Sequence, residues 1–229
     1  SNLERRVRDF LEKPHDSLTE WQNKSSDYGV INLFIQYLVD HYGVNILIDS
    51  LHSSKTGITS INEALSRNGF RNNFSQIFTD WTITVLVNDC FLGNKYCYKN
   101  ENLRNLRIVP ESYFIPRVTE SIISLQVQIK DWSANWQRFF GGRGELILQF
   151  TGQEMSSLKT PYVLCDIEDK CQMSFFSSGK DQKGDIIIAD FDRKYSSLTV
   201  IPSVGQKLFG FAENESFYTF SFGIKTKLM

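Results

Sequence analysis

The sequence predicts an α+β protein, an N-terminal all-helical domain followed by a C-terminal antiparallel β-sandwich. Between Ser26 and Asn88 apolar residues recur at three- and four-residue steps, the period of a helix face. Beyond about residue 100 that period gives way to short runs in which apolar and polar residues alternate. A chain of 229 residues, 41% hydrophobic and 22% charged, suits one large packed domain or two modest ones. The expected division is a helical domain over 1–89, a connecting loop over 90–112 and the β domain over 113–229.

Residues 3–12 read as a first helix, with Leu3, Val7, Phe10 and Leu11 on one side. Lys13-Pro14 stops it, because proline disfavours helical backbone in the residue before it. A short turn follows, in which Ser17 caps and Glu20 takes the reciprocal position three residues on. Ser26 or Asp27 then caps a helix carrying Ile31, Phe34, Ile35 and Leu38, and Gly43 ends it. After a spacer, Ser60 and Glu63 form a capping-box signature for a helix that stops at Asn68-Gly69. Phe74, Ile77, Phe78, Trp81, Val85 and Leu86 make the stripe of the last helix. Such helices are marginal alone in water, so their stripes must close on one another.

From Cys90 to Arg107 loop-formers dominate. Strand-like runs follow at 125–129, 145–150, 162–167, 172–176, 185–191, 197–201 and 217–224. Gly141-Gly142, Thr151-Gly152, Ser178-Gly179, Lys183-Gly184 and Asn214-Glu215 supply turn signals between them. Gly141-Gly142-Arg143-Gly144 precedes a strand and lacks the lysine of a phosphate loop, so it reads as a turn. Trp132, Trp136, Phe139 and Phe140 at steps of four fit a helical turn packed on the β domain, or an aromatic platform.

Charge removes some function classes. The chain holds 25 basic and 26 acidic side chains; residues 1–89 carry 8 against 11 and the remainder 17 against 15. Neither half is the basic surface that nucleic-acid binding needs. No run of 18 apolar residues exists to span a membrane. Cys90 with Cys97 and Cys165 with Cys171 are closely spaced pairs without zinc-ribbon spacing. Two short-loop disulfides or four half-buried free thiols both fit. Asp166, Glu168 and Asp169 crowd one turn, as a calcium site or as a solvated hairpin tip. His41 lies at a helix C-terminus, where the dipole favours a cation. No G-x-S-x-G elbow occurs.

The order Tyr28-Gly29, Leu33-Phe34, Tyr37-Leu38, Tyr42-Gly43, Gly57-Ile58, Ile61-Asn62, Leu65, Phe74, Ile77-Phe78 and Asp80-Trp81 resembles a known segment. It is similar to the helical part that follows the third zinc ligand in gluzincin metallopeptidases, above all the secreted bacterial ones of hyicolysin type. Arg8, Phe10, Pro14, Ser17-Leu18 and Trp21 fit the lead-in, so the resemblance covers roughly residues 5–90. It implies a secreted or cell-surface location, favours oxidised cysteine pairs, and implies a peptide or protein as substrate or binding partner. It also implies that Tyr28 stands where the family places a donor to the developing oxyanion. The chain departs from the pattern at the metal. His15, His41 and His52 are its histidines and none sits in H-E-x-x-H. No cofactor is therefore expected in this chain, and zinc only if an upstream catalytic half carries that motif. The competing expectation is a non-catalytic extracellular binding or interaction module, or a structural subunit, derived from such a peptidase.

Overall fold

The computed structural model describes residues 1–117, 120–152, 158–176 and 183–227. It is α+β, with two compact units. The helix-rich unit comprises Ser1–Ile108 with Lys130–Ser133 and Gly205–Ser216. The sheet unit comprises Val109–Ile129, Ala134–Val204 and Phe217–Met229. The expected turn at Ser178-Gly179 lies outside the described residues.

Five helices form the first unit: α1 Asn2–Glu12, α2 Ser25–Tyr42, α3 Asn45–Leu51, α4 Gly57–Arg67 and α5 Phe74–Val87. Ser1 and Glu4 close a capping box at α1. At α2 the capping carboxylate is Asp27, three residues inside the helix, which accepts from the N–H groups of Gln22 at 2.8 Å and Lys24 at 2.9 Å. Gly43 ends α2 at φ 82°, a conformation that side chains disfavour. Gly29 is needed for a different reason. A Cβ there would stand 2.5 Å from the backbone nitrogen of Phe10, so α1 and α2 touch backbone to backbone.

Three local expectations are corrected. The spacer after Gly43 is mostly helix α3, a single short turn pair that apolar periodicity over seven residues cannot announce. Helix α4 begins at Gly57, not Ser60; the Ser60 hydroxyl turns back to the Gly57 carbonyl at 2.7 Å and Glu63 goes to Ser53 and Arg67. Ser17 and Glu20 form no capping box. The Ser17 hydroxyl donates to the Asp131 carbonyl at 2.5 Å, and Glu20 pairs with Ala212 in an isolated parallel bridge.

The core of this unit is aromatic. Phe10, Phe34, Phe78 and Trp81 are buried within 5.4–6.3 Å of one another, ring centre to ring centre, along the contacts they make. Trp132 meets Phe74 and Phe78 edge-on at 4.8 and 5.4 Å. Buried polar tips find partners. The Trp81 indole donates to the Tyr98 hydroxyl at 2.8 Å, which donates to the Leu33 carbonyl at 2.9 Å. Asn88 ends α5 in the left-handed region, which asparagine tolerates, at φ 41°. Its amide reaches the carbonyls of Leu103, Arg104 and Leu106 and its oxygen accepts from Tyr98, so one side chain ties the loop that follows. The Cys90–Cys97 disulfide closes the base of that loop.

Asp16 carries a pH dependence. Burial pushes its carboxyl up, but hydrogen bonds from Lys13 at 2.8 Å, Ser26 and the Ser17 N–H outweigh that and hold it below its ordinary value. A carboxylate depressed in the folded state stabilises above its unfolded pKa, and that stability is lost as pH falls through the folded one. Asp16→Asn is therefore expected to flatten the acid limb of the stability curve below about pH 4. It should cost about 1 kcal/mol at neutral pH, both read by urea titration across pH.

The strands, which lie in the sheet unit except for Lys130 and Ser133, are β1 Glu111–Ile115, β2 Glu120–Lys130, β3 Ser133–Ala134, β4 Gln137–Gly141, β5 Gly144–Thr151, β6 Pro161–Asp166, β7 Cys171–Phe175, β8 Lys183–Phe191, β9 Tyr195–Val200, β10 Ser203–Val204 and β11 Phe217–Lys227. All seven expected runs are strands, but the sheet is mixed rather than antiparallel throughout. β1 pairs with β4 in parallel from Glu111↔Gln137 to Ile115↔Gly141, and β8 meets β9 in parallel at Phe191↔Tyr195. That single pair joins two ladders, β1-β4-β9-β6-β7 and β8-β5-β11-β2. One buried cluster draws Phe139, Leu164 and Leu198 from the first and Phe150, Ile188 and Phe220 from the second.

The aromatic stretch at 132–140 is not a helical turn. Phe139 and Phe140 alternate inward and outward on β4, as the two-residue period of a strand requires. Lys183-Gly184 opens β8 instead of forming a turn. Gly141 and Gly142, at φ 79° and 68°, make the β4–β5 turn as expected. Cys165 and Cys171 face each other across the β6–β7 hairpin and are bonded. Both cysteine pairs are thus disulfides.

Candidate functional site

The helix-rich unit contains an open apolar cleft of about 610 Å³. Helix α2 supplies Ile31, Phe34, Ile35 and Leu38, whose three- and four-residue spacing puts them on one face. Leu47 and Leu51 of α3, Ile58 and Ile61 of α4, and Phe74 of α5 complete its helical walls. The remaining wall comes from Phe209-Gly210-Phe211. That segment is held against the start of α4, where the Thr59 N–H donates to the Leu208 carbonyl at 3.3 Å. A Cβ on Gly57 would stand 2.9 Å from the Phe209 Cα, and Gly57 itself has φ 61°, so glycine answers both the contact and the backbone there.

Exposed aromatic rings continue from the cleft. Phe209 and Phe211 are 69% and 65% exposed. Phe211 lies 6.2 Å from Trp21, and Trp21 meets Tyr28 edge-on at 4.9 Å. The Arg6 guanidinium covers the Tyr28 ring at 4.6 Å. The Tyr28 hydroxyl donates to the Asn23 side-chain oxygen at 2.8 Å, with the residue 38% exposed. Tyr28 thus stands in the first turn of α2 at the end of a rim of aromatic rings that leads into the cleft.

A buried network fixes the 205–216 segment that forms the outer wall. Glu20, fully buried, accepts from Lys130 at 2.5 and 2.6 Å and from the Glu215 N–H at 2.9 Å. Lys207 pairs with Glu215 at 2.8 Å. Asp131 accepts from the N–H groups of Gln206 at 2.7 Å and Lys207 at 2.8 Å. No local pattern in the sequence signals this network: apart from Lys207 with Glu215, 8 residues apart, its partners lie 75 to 195 residues apart in the chain.

The other candidates lie elsewhere. His41 is half-buried; burial pushes its ring below its ordinary pKa, and its Nε2 lies 2.9 Å from the Cys97 carbonyl. It packs on Tyr37 instead of standing as a solvated cation. Asp166 spends one oxygen on the N–H groups of Glu168 and Lys170, and Glu168 pairs with Lys170. Among the described residues no three His, Cys, Asp or Glu side chains converge as a metal site. All four cysteines are in disulfides. Among the described residues the donors present do not fit a gluzincin zinc centre.

No protein-family model matches the sequence, and no curated protein does. Solved structures show faint likenesses. The pre-peptidase C-terminal domain of collagenase from Bacillus anthracis is 10% identical, with 51% of this chain and 94% of that one covered, at a TM-score of 0.29. PliG of Aeromonas hydrophila, a periplasmic inhibitor of g-type lysozyme, is 7% identical over 51% and 97%, also at 0.29. BtGH115A, a 4-O-methyl-α-glucuronidase of family GH115, is 9% identical over all of this chain and 33% of its own, at 0.26. Likenesses of this size decide neither fold family nor function. No helix among the described residues is long and apolar enough to cross a membrane.

Proposed function

We propose that this chain is the C-terminal portion of an extracytoplasmic zinc metallopeptidase of gluzincin type, with the helix-rich unit forming one wall of the substrate cleft. The zinc ligands belong to an upstream half, since the donors here do not fit them. The observation that carries the reading is the accessible Tyr28 hydroxyl at the end of an aromatic rim that leads into an apolar cleft. A donor aimed where negative charge develops stabilises the transition state, and apolar walls beside it take substrate side chains. Two disulfides support a location outside the reducing cytoplasm. We read the two ladders of the sheet unit as the leaves of a sandwich, an accessory domain of the secreted enzyme.

The gene sequence upstream of Ser1, expressed together with this chain, tests the proposal. The joined protein is expected to contain H-E-x-x-H and a later glutamate, and to hydrolyse casein. The 229-residue chain alone is expected to hydrolyse none. A joined protein without that motif and without activity overturns the peptidase reading. The non-catalytic binding module then stands, favoured by the same exposed rings.

A further inference from the structure

Polar and apolar residues are unevenly placed in the cleft. Its body is apolar, and apart from Thr19 its hydroxyls gather in the 50–60 stretch. The hydroxyls of Ser50, Ser53, Ser60 and Thr19 are already engaged. Ser50 and Ser60 lie 2.6 Å apart, Ser53 donates to Glu63, and Thr19 lies 3.3 Å from the Ser17 hydroxyl. Substrate side chains can rest on these walls while their backbone stays outside, but a peptide backbone laid along the body would bring N–H and C=O groups to walls with few partners for them, and unpaired buried amides are disfavoured. A methylene chain brings no such groups.

Lys55 is the charged residue that lines the cleft, and it belongs to the same 50–60 stretch as most of the hydroxyls. The Glu63 carboxylate is held by Ser53 and by Arg67 at 2.8 Å, and the Lys55 ammonium is the charge among the cleft-lining side chains. We propose that the cleft binds a long-chain carboxylate, with its acyl chain along Ile31, Ile35, Leu47 and Ile61 and its carboxylate at Lys55. This goes beyond the peptidase reading and does not depend on it. The cleft's size lies within the range of small-ligand sites.

Isothermal titration of the full chain with decanoate, decan-1-ol and decyltrimethylammonium tests the proposal. Decanoate is expected to bind saturably, one per chain, and to weaken by up to about fourfold for each methylene removed. Replacing Lys55 in K55E is expected to weaken decanoate about tenfold and to leave decan-1-ol unchanged. Ile61→Trp, which fills the cleft from a partly exposed position, is expected to abolish both. Lack of saturable binding overturns the proposal, as do equal affinities for decanoate and decyltrimethylammonium. So does tighter binding of an acetylated Leu-Phe-Leu amide than of decanoate, which would make the cleft a peptide site.

Discussion

Glu20→Ala is expected to destabilise the helix-rich unit by about 3–5 kcal/mol, the range for breaking a buried ion pair. The carboxylate is fully buried and serves three bonds at once, two from Lys130 and one from the Glu215 N–H. Removing it takes the counter-charge from a mostly buried ammonium and leaves a buried backbone donor without its acceptor. The backbone beside it also carries the pairing with 212, through Trp21 N–H to the Ala212 carbonyl at 2.8 Å and Ala212 N–H to the Thr19 carbonyl at 2.9 Å. Loss therefore spreads to the wall of the cleft formed by Phe209 and Phe211. The double change Glu20→Leu with Lys130→Met should cost less than Glu20→Ala alone, because no unpaired charge is left behind. Urea unfolding followed by the helical signal at 222 nm measures both. A Glu20→Ala loss below about 1 kcal/mol would mean that the pair behaves as a surface salt bridge.

Most of the regular structure was legible because one period governs each region. Helix α5 carries ten buried residues in fourteen, and its stripe is visible in the sequence. On β11 Phe220 and Phe222 alternate with Thr219 and Ser221, a pattern only a strand satisfies. Illegible features had competing local signals. Trp132, Trp136 and Phe140 recur at four-residue steps and mimic a helix, yet Trp132 sits at φ 48° in a turn and Phe140 on a strand. Ser60 and Glu63 look like a capping box, but both side chains are taken by α3 and the loop after it, through Ser50 and Ser53. The cleft was half legible. Its α2 face follows from periodicity, whereas its outer wall arrives from about 150 residues downstream, through the contact of Thr59 with Leu208. Tyr28 was singled out by resemblance; its place on an aromatic rim needed Trp21 and Phe211 brought together in space.

On the peptidase proposal, Tyr28→Phe made in the protein joined to the proposed upstream half is expected to lower kcat by about a hundredfold to a thousandfold while leaving KM nearly unchanged. That range is the typical effect of losing one oxyanion donor, about 2.7–4 kcal/mol of transition-state stabilisation. The kinetic split follows because a hydroxyl that bonds only the developing oxyanion contributes nothing to the bound substrate. The substitution is clean on structural grounds. Phenylalanine keeps the ring that meets Trp21 at 4.9 Å and lies under Arg6 at 4.6 Å. What it loses in the free protein is one exposed hydrogen bond, to Asn23. Stability should therefore change by less than about 1 kcal/mol, and thermal unfolding of the variant serves as the control. Asn23→Gly, which keeps the left-handed backbone at φ 57° without strain, separates orientation from chemistry. It removes the hydroxyl's resting acceptor but not the donor, and should cost less than tenfold in kcat. If Tyr28→Phe keeps full kcat with unaltered stability, Tyr28 is a rim residue that only packs, and its proposed role as oxyanion donor falls.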